Sequence, residues 1–412
     1  MPAFFTGPSI AWGPGAIEQL SALGIRRAIV LADPAVAAGV GVRRIVEELE
    51  KSDAVVERVD WTGPADALPT VTAARDRARA FAPDAVVAVG GGRTIDGAKA
   101  VRLGLELPDV DLAQLPPLLP PADDRRVRLV AVPTTSGSGA EASWVADLVG
   151  ADGEPLEIAE RRLTPEWALV DPAWAEPLPR EAWVPGALET AALATEAYLS
   201  AWSNPFSDAL AVQALATVVQ RLPNAVRWSD DPDARPALHY AATAAGLAVS
   251  NAQRGIAHAL ARALTGPTRL PYATALGIVL PAVLDFDRPG ARERIEALAR
   301  AVGGPDDRGP LALEARLRRL YPIVRFPADL AAAGAPKDRW FADRAQIVRR
   351  TLRSPAVLAN PRVPNAHDVE QLLDAVAGPP ACAGHRRATR RGRPARRGPA
   401  GPPAAEAIRP RG

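Results

Sequence analysis

The chain has 412 residues, 48% of them hydrophobic and 23% charged, which is ordinary globular composition with length enough for two domains. Its formal net charge of +2 divides into +8 over residues 379–412, where nine Arg face one Glu, and −6 over the rest. These values argue against whole-chain disorder and against a basic, nucleic-acid-binding body.

The N-terminal residues MPAFFTGPSIAWGPG lack the charged start and unbroken apolar core of a signal peptide, and no run is long enough to span a bilayer. The single cysteine, Cys382, supports neither an intramolecular disulfide nor a Cys-based metal site. A cytoplasmic protein without membrane contact is expected.

In chain order, short β-branched runs at 27–32, 55–59, 85–89, 127–132 and 168–170 read as parallel strands buried on both faces. Apolar residues at helical spacing over 36–51 and 71–81 separate them, as βαβ units require. Beyond Pro177 the strand pattern stops. Helical periodicity then dominates, most clearly over 208–219, 236–264, 291–302 and 368–376, with prolines at 205, 223, 267, 271 and 281 near expected helix ends. The predicted organisation is a Rossmann-like α/β dinucleotide-binding domain over 1–177, an all-α domain over 178–377, and a disordered Pro/Arg/Gly-rich basic tail over 378–412.

The strand at 85–89 runs into Gly90, Gly91, Gly92 and Arg93 and then into a helix. Glycines permit close backbone approach to a pyrophosphate, and the helix N-terminus adds free N–H groups. The strand at 127–132 ends in a second such loop, PTTSGSGAE, with Thr134, Thr135 and Ser138 placed at a ligand crevice. Together these loops resemble the iron-containing alcohol dehydrogenase and dehydroquinate-synthase-like superfamily, whose signatures are GGGS-x-x-D-x-A-K and PTT-x-G-[ST]-G-[SA]-E. The similarity runs from Gly13-Pro14-Gly15 to Asn360-Pro361-Arg362 and the helix after it.

That resemblance implies a dehydroquinate-synthase-like fold and extends the cofactor-binding set to Asp33, Asp96 and Lys99. Asp33 takes the place of the acidic residue on the adenosine ribose, which favours NAD(H) over NADP(H). Two positions depart from the family. Arg93 replaces the Ser after the glycines, and Pro155 stands where a Lys near the nicotinamide ribose is common.

The resemblance also implies a divalent metal held by an Asp and a His four residues apart on one helix and by two later His. Anchored on Glu196-Ala197-Tyr198, these first two positions are Glu189 and Leu193; anchored on Gly186 they are Leu188 and Ala192. Neither register supplies a histidine. His258, in GIAHALAR, matches the third ligand, Arg262 replaces a nearby His, and Tyr272 replaces the fourth. No metal ligand set is therefore assigned, and a bound divalent metal is not expected.

The expected catalytic residues are His258, Tyr272 and Arg262. Arg262 would supply the lost positive charge and pair with Glu189 or an anionic substrate, while His258 or Tyr272 donates the proton. The expected activity is NAD(P)(H)-dependent interconversion of a small carbonyl, possibly acid-bearing, and its alcohol. A non-redox lyase or cyclase, or a retired dinucleotide-binding partner protein, are the alternatives. A homodimer is implied by the resemblance alone.

Overall fold

The computed structural model describes residues 4–378 apart from 38–39, 116–125, 229–230, 304–308 and 310. The expected disordered tail lies, beyond Gly378, outside the described residues.

Among the described residues, eight strands form two sheets: β1 (Ser9–Trp12), β2 (Arg27–Ala32), β3 (Val55–Arg58), β4 (Ala85–Gly90), β5 (Arg128–Pro133), β6 (Val145–Val149), β7 (Pro155–Ala159) and β8 (Trp167–Val170). Six of them make a parallel sheet in the order β1-β8-β5-β4-β2-β3. The five expected strands are all present, with no end shifted by more than one residue. Their unbroken apolar character follows from burial on both faces. Alternate residues of β2 and β4 enter separate cores, Ile29, Leu31, Val86 and Ala88 on one side and Ala28, Val30, Val87 and Val89 on the other. The helices of this half are α1 (Pro34–Ala37), α2 (Val40–Glu50), α3 (Leu68–Phe81) and α4 (Gly92–Glu106).

Strands β6 and β7, which are not among the expected strands, form a separate antiparallel hairpin. One face, with Ala146, Leu148 and Ile158, packs into the core shared with α3 and α4. The opposite face carries Asp147, whose register partner is Glu157.

The second half contains α5 (Arg180–Leu199), α6 (Pro205–Arg227), α7 (Ala234–Ala252), α8 (Ile256–Thr268), α9 (Tyr272–Gly303), α10 (Ala312–Val324), α11 (Lys337–Trp340), α12 (Arg344–Arg353) and α13 (Ala366–Val376) around one large apolar core. Two expectations are corrected here. Pro223 and Pro281 lie inside helices rather than at their ends, while Pro205 opens α6, Pro267 is the penultimate residue of α8 and Pro271 immediately precedes α9. The single helix expected over 236–264 is two helices, because Gln253 takes a left-handed φ of 68° and Gly255 an extended one. Side chains from elsewhere hold that break: Asn360 Oδ1 accepts from Ile256 N at 3.0 Å, and Glu196 Oε1 accepts from His258 N at 3.1 Å. They replace the hydrogen bonds a continuous helix would have made.

Candidate active site

Strands β2, β4 and β5 are neighbours, so their carboxyl ends bring Asp33, Gly90–Gly92 and Thr134–Ser138 together. Backbone bonds tie them: Asp33 N donates to Val89 O at 2.8 Å, and Thr134 N to Gly90 O at 3.0 Å. Helix α4 starts at Gly92 with no side-chain cap, leaving its first N–H groups open to a ligand. The glycines are required by close approach. A Cβ on Gly91 would lie 2.9 Å from Thr135 Cγ2, and one on Gly92 2.8 Å from the Ser138 side chain.

Gly92, Arg93, Asp96, Thr135 and Ser138 line a cavity of about 520 Å³, a size that suits a bound small molecule. Pro155, Arg262 and Tyr272 line it too. Gly90 and Thr134 lie behind this surface; a Cβ on Gly90 would strike Thr94 at 2.5 Å. Arg93 Nη2 binds Asp66 Oδ1 at 2.7 Å while its side chain stays largely exposed. Asp33 accepts from Ala35 N at 2.9 Å and from Thr94 Oγ1 at 3.3 Å.

Lys99, expected among the cofactor contacts, is turned into the protein. Its side chain is wholly buried, and its ammonium donates to Asp96 Oδ1 (3.0 Å), Ser143 Oγ (3.0 Å) and Val145 O (2.6 Å). All three donors are thus used inside the protein. It braces Asp96, whose other oxygen accepts from Asp147 N at 3.2 Å. Asp96 therefore joins the glycine loop's helix to the β6–β7 hairpin.

The opposite wall is ionic. Arg254, projecting from the break between α7 and α8, reaches Asp147 Oδ2 at 2.5 Å and Glu157 Oε2 at 3.1 Å. His258 Nε2 lies 3.8 Å from both Asp147 Oδ1 and Glu157 Oε2. Its other nitrogen, Nδ1, is 2.6 Å from the Tyr272 hydroxyl. Burial works to raise the Asp147 carboxyl, but Arg254 and Arg262 outweigh it and hold the group well below the usual carboxylate range. Burial, reinforced by Arg254, pushes His258 down, so the imidazole is neutral near pH 7.

Arg262 does not pair with Glu189, which corrects that part of the expectation. It donates to Leu148 O at 2.8 Å, and its Nε is 3.9 Å from Asp147 Oδ1. Glu189 makes no hydrogen bond or ion pair with any described residue, and burial, aided by the Asp147 and Asp96 charges, pushes its carboxyl up to about 8. Leu193 and Glu189 line a small adjoining space with Arg254 and Tyr272.

Asp147, Glu157 and Arg254 are absent from the sequence-predicted set, yet they organise His258. A signal for the hairpin does exist in the sequence. VADLV and PLEIA are short, mainly apolar runs on either side of a turn containing Asp152-Gly153, a strand-turn-strand pattern. No comparable signal marks Arg254, whose place depends on Glu196 and Asn360.

The described residues do contain one group able to offer a metal three ligand atoms. Asp147, Glu157 and His258 present such atoms within 4.8 Å of one another, which weighs against expecting no metal here. The same two carboxylates, however, already bind a buried guanidinium. With Arg254 in place, these residues do not fit a divalent ion. The open glycine loop, free helix N-terminus and exposed Arg93 do fit a dinucleotide pyrophosphate.

Among the described residues, no helix is long and apolar enough to cross a membrane. The family model for iron-containing alcohol dehydrogenase matches residues 8–172, and that for the C-terminal part of the Fe-containing alcohol dehydrogenase family matches 184–377. The chain is 27% identical over 379 residues to an NADPH-dependent butanol dehydrogenase of Clostridium saccharobutylicum, covering 90% of this chain and 97% of that protein. It is 33% identical over 313 residues to a probable alcohol dehydrogenase, EutG, of Salmonella typhimurium, covering 75% and 76%. An iron-containing alcohol dehydrogenase structure from Thermococcus thioreducens superposes with a TM-score of 0.83 at 25% identity, covering 91% of this chain and 99% of that one. With both halves matched in this way and the sheet and helices arranged alike, the chain belongs to the iron-containing alcohol dehydrogenase family and is an NAD(P)-dependent oxidoreductase of the alcohol dehydrogenase type.

Proposed function

We propose that this protein interconverts a small, acid-bearing aldehyde or ketone and its alcohol, prefers NAD(H) to NADP(H), and moves the proton through Tyr272 and His258 without a divalent ion. The observation that carries this reading is the Tyr272 hydroxyl, 2.6 Å from His258 Nδ1, on a cavity also lined by the glycine loop. The dinucleotide, when bound, supplies or accepts the hydride. Arg93 and the first turn of α4 would hold its phosphates, and Asp33 would face the ribose, where its charge would repel a 2′-phosphate.

The carboxylates of Asp147 and Glu157 only accept hydrogen bonds, so His258 carries its proton on Nε2, and Nδ1 accepts from Tyr272. In alcohol oxidation the substrate hydroxyl gives its proton to the Tyr272 oxygen as Tyr272 passes its own to His258 Nδ1. The resulting imidazolium faces Asp147 and Glu157 at 3.8 Å, whose charge offsets the cost of forming it in a buried site. Carbonyl reduction runs the same path backwards. Arg262 spends one donor on Leu148 O and lines the cavity, where its fixed charge suits a carboxylate or a similar oxyanion.

Steady-state assays with NADH and a panel of small aldehydes and ketones, with and without a carboxylate, test this. Turnover is expected, faster on the acidic members. Tight NADH binding with no turnover on any of them would overturn the proposal.

A further inference from the structure

Asp147 and Glu157 sit directly opposite each other on an antiparallel pair. Like charges so placed destabilise a hairpin unless a cation lies between them. Arg254 is that cation, bonded to both carboxylates and 9% exposed. We propose that Arg254 is a built-in cation whose guanidinium occupies the site that Asp147, Glu157 and His258 would otherwise offer to a divalent ion, and so closes it to metal.

Charge and geometry agree. Two carboxylates face the guanidiniums of Arg254 and Arg262, with Arg262 Nε 3.9 Å from Asp147, so the cluster is balanced before any ion enters. A divalent ion there would strand the Arg254 guanidinium, which cannot shed its charge, in a buried site without partners. Remove Arg254 and the remaining groups are close to a ligand set. The 3.8 Å between His258 Nε2 and each carboxylate oxygen is near the roughly 3.4 Å that separates ligand atoms around a tetrahedral zinc ion.

The backbone is also committed to this placement. Gln253, immediately before Arg254, holds a left-handed φ of 68°, a cost that persists only where surrounding contacts fix it. Gly255, immediately after, leaves no room for a Cβ, which would lie 2.6 Å from Asn360 Oδ1 and 3.0 Å from Glu196 Oε1. These contacts fix the direction in which Arg254 leaves the chain.

The inference rests on reading this cleft as the catalytic site, but its test needs no turnover, so either can fail alone. The full-length protein is stripped with a chelator and dialysed against zinc chloride, and the zinc bound is compared with that of the matching Asp147→Asn protein, which removes binding elsewhere from the count. Wild type is expected to show no Asp147-dependent zinc. Arg254→Gln is expected to bind about one zinc per chain, at least about 100-fold more tightly than wild type, and to gain a zinc-dependent rise in Tm. Stoichiometric Asp147-dependent zinc in wild type would overturn the proposal. So would a folded Arg254→Gln that binds none, or one that refolds neither with nor without zinc, since the ion must be able to replace the guanidinium.

Discussion

The cavity has two walls built on different principles. The glycine-loop wall is mostly backbone: Gly91 and Gly92 admit Thr135 and Ser138, and helix α4 presents unpaired N–H groups. The facing wall is side chains: Asp147 from a hairpin and Arg262 and Tyr272 from two successive helices line it, and Glu157, Arg254 and His258 stand behind them in one charged cluster. A backbone wall tolerates surface change but not an added atom. A wall of coupled charges tolerates small changes of shape, but not loss of one partner.

The largest expected effect separates chemistry from binding. Tyr272→Phe removes the hydroxyl that connects cavity to His258, so kcat should fall about 100-fold or more while the NADH Kd changes little. Equal losses in kcat and in NADH affinity would show that the two walls are not separable. The reverse pattern is expected of Gly92→Ala, whose new Cβ would lie 2.8 Å from the Ser138 side chain. Its NADH Kd should rise about 10-fold, roughly 1.4 kcal/mol, measured by fluorescence titration, with zinc behaviour unaltered.

A smaller change is expected at the outer edge of the backbone wall. Asp33→Ser removes the negative charge beside the expected ribose position and should narrow the preference for NADH over NADPH several-fold in kcat/KM. An unchanged ratio would move the determinant elsewhere.

Behind the ionic wall, Asp287 accepts from Asn360 Nδ2 at 2.6 Å, and burial pushes its carboxyl up to about 8. Its folded-state pKa lies above the unfolded value, so its contribution to stability is complete below about pH 4 and is lost as pH rises through about 8. Wild-type Tm should therefore decline between about pH 4 and 8, with Glu189, also raised to about 8, contributing to the same decline, and Asp287→Asn should lessen the slope; an identical slope would remove Asp287 as a contributor. The smallest effect is expected at Glu154, which pins the hairpin turn to Arg350 at 2.8 Å on the surface. Glu154→Gln should cost about 0–1 kcal/mol in denaturant unfolding.

Much of one wall was legible in the sequence because its parts are contiguous. A strand, three glycines and a helix start occupy ten consecutive residues, and the second loop follows the next strand of the sheet in the same way. Lys99 shows the limit of reading by motif. It occupies its expected position, but the structure turns it inward to Asp96, Ser143 and Val145 O. Similarly, Arg262 is the expected replacement charge because it stands where the family has a histidine, whereas the guanidinium nearest the carboxylates is Arg254.

By itself, then, the sequence determined the alternation of strands and helices, the two glycine-containing loops at strand ends, and the absence of histidine at two of the family's three histidine positions. Local periodicity carries the first, contiguous strand–glycine–helix runs the second, and the resemblance to the family the third. Only the tertiary structure decided that Asp147 and Glu157 face each other, that the chain breaks at Gln253 to deliver Arg254 between them, and that His258 links this pair to Tyr272. The physical reason is sequence distance. Arg254 lies about a hundred residues from the carboxylates it bridges, and the contacts that hold its backbone come from Glu196 and Asn360, so no local pattern could encode the meeting.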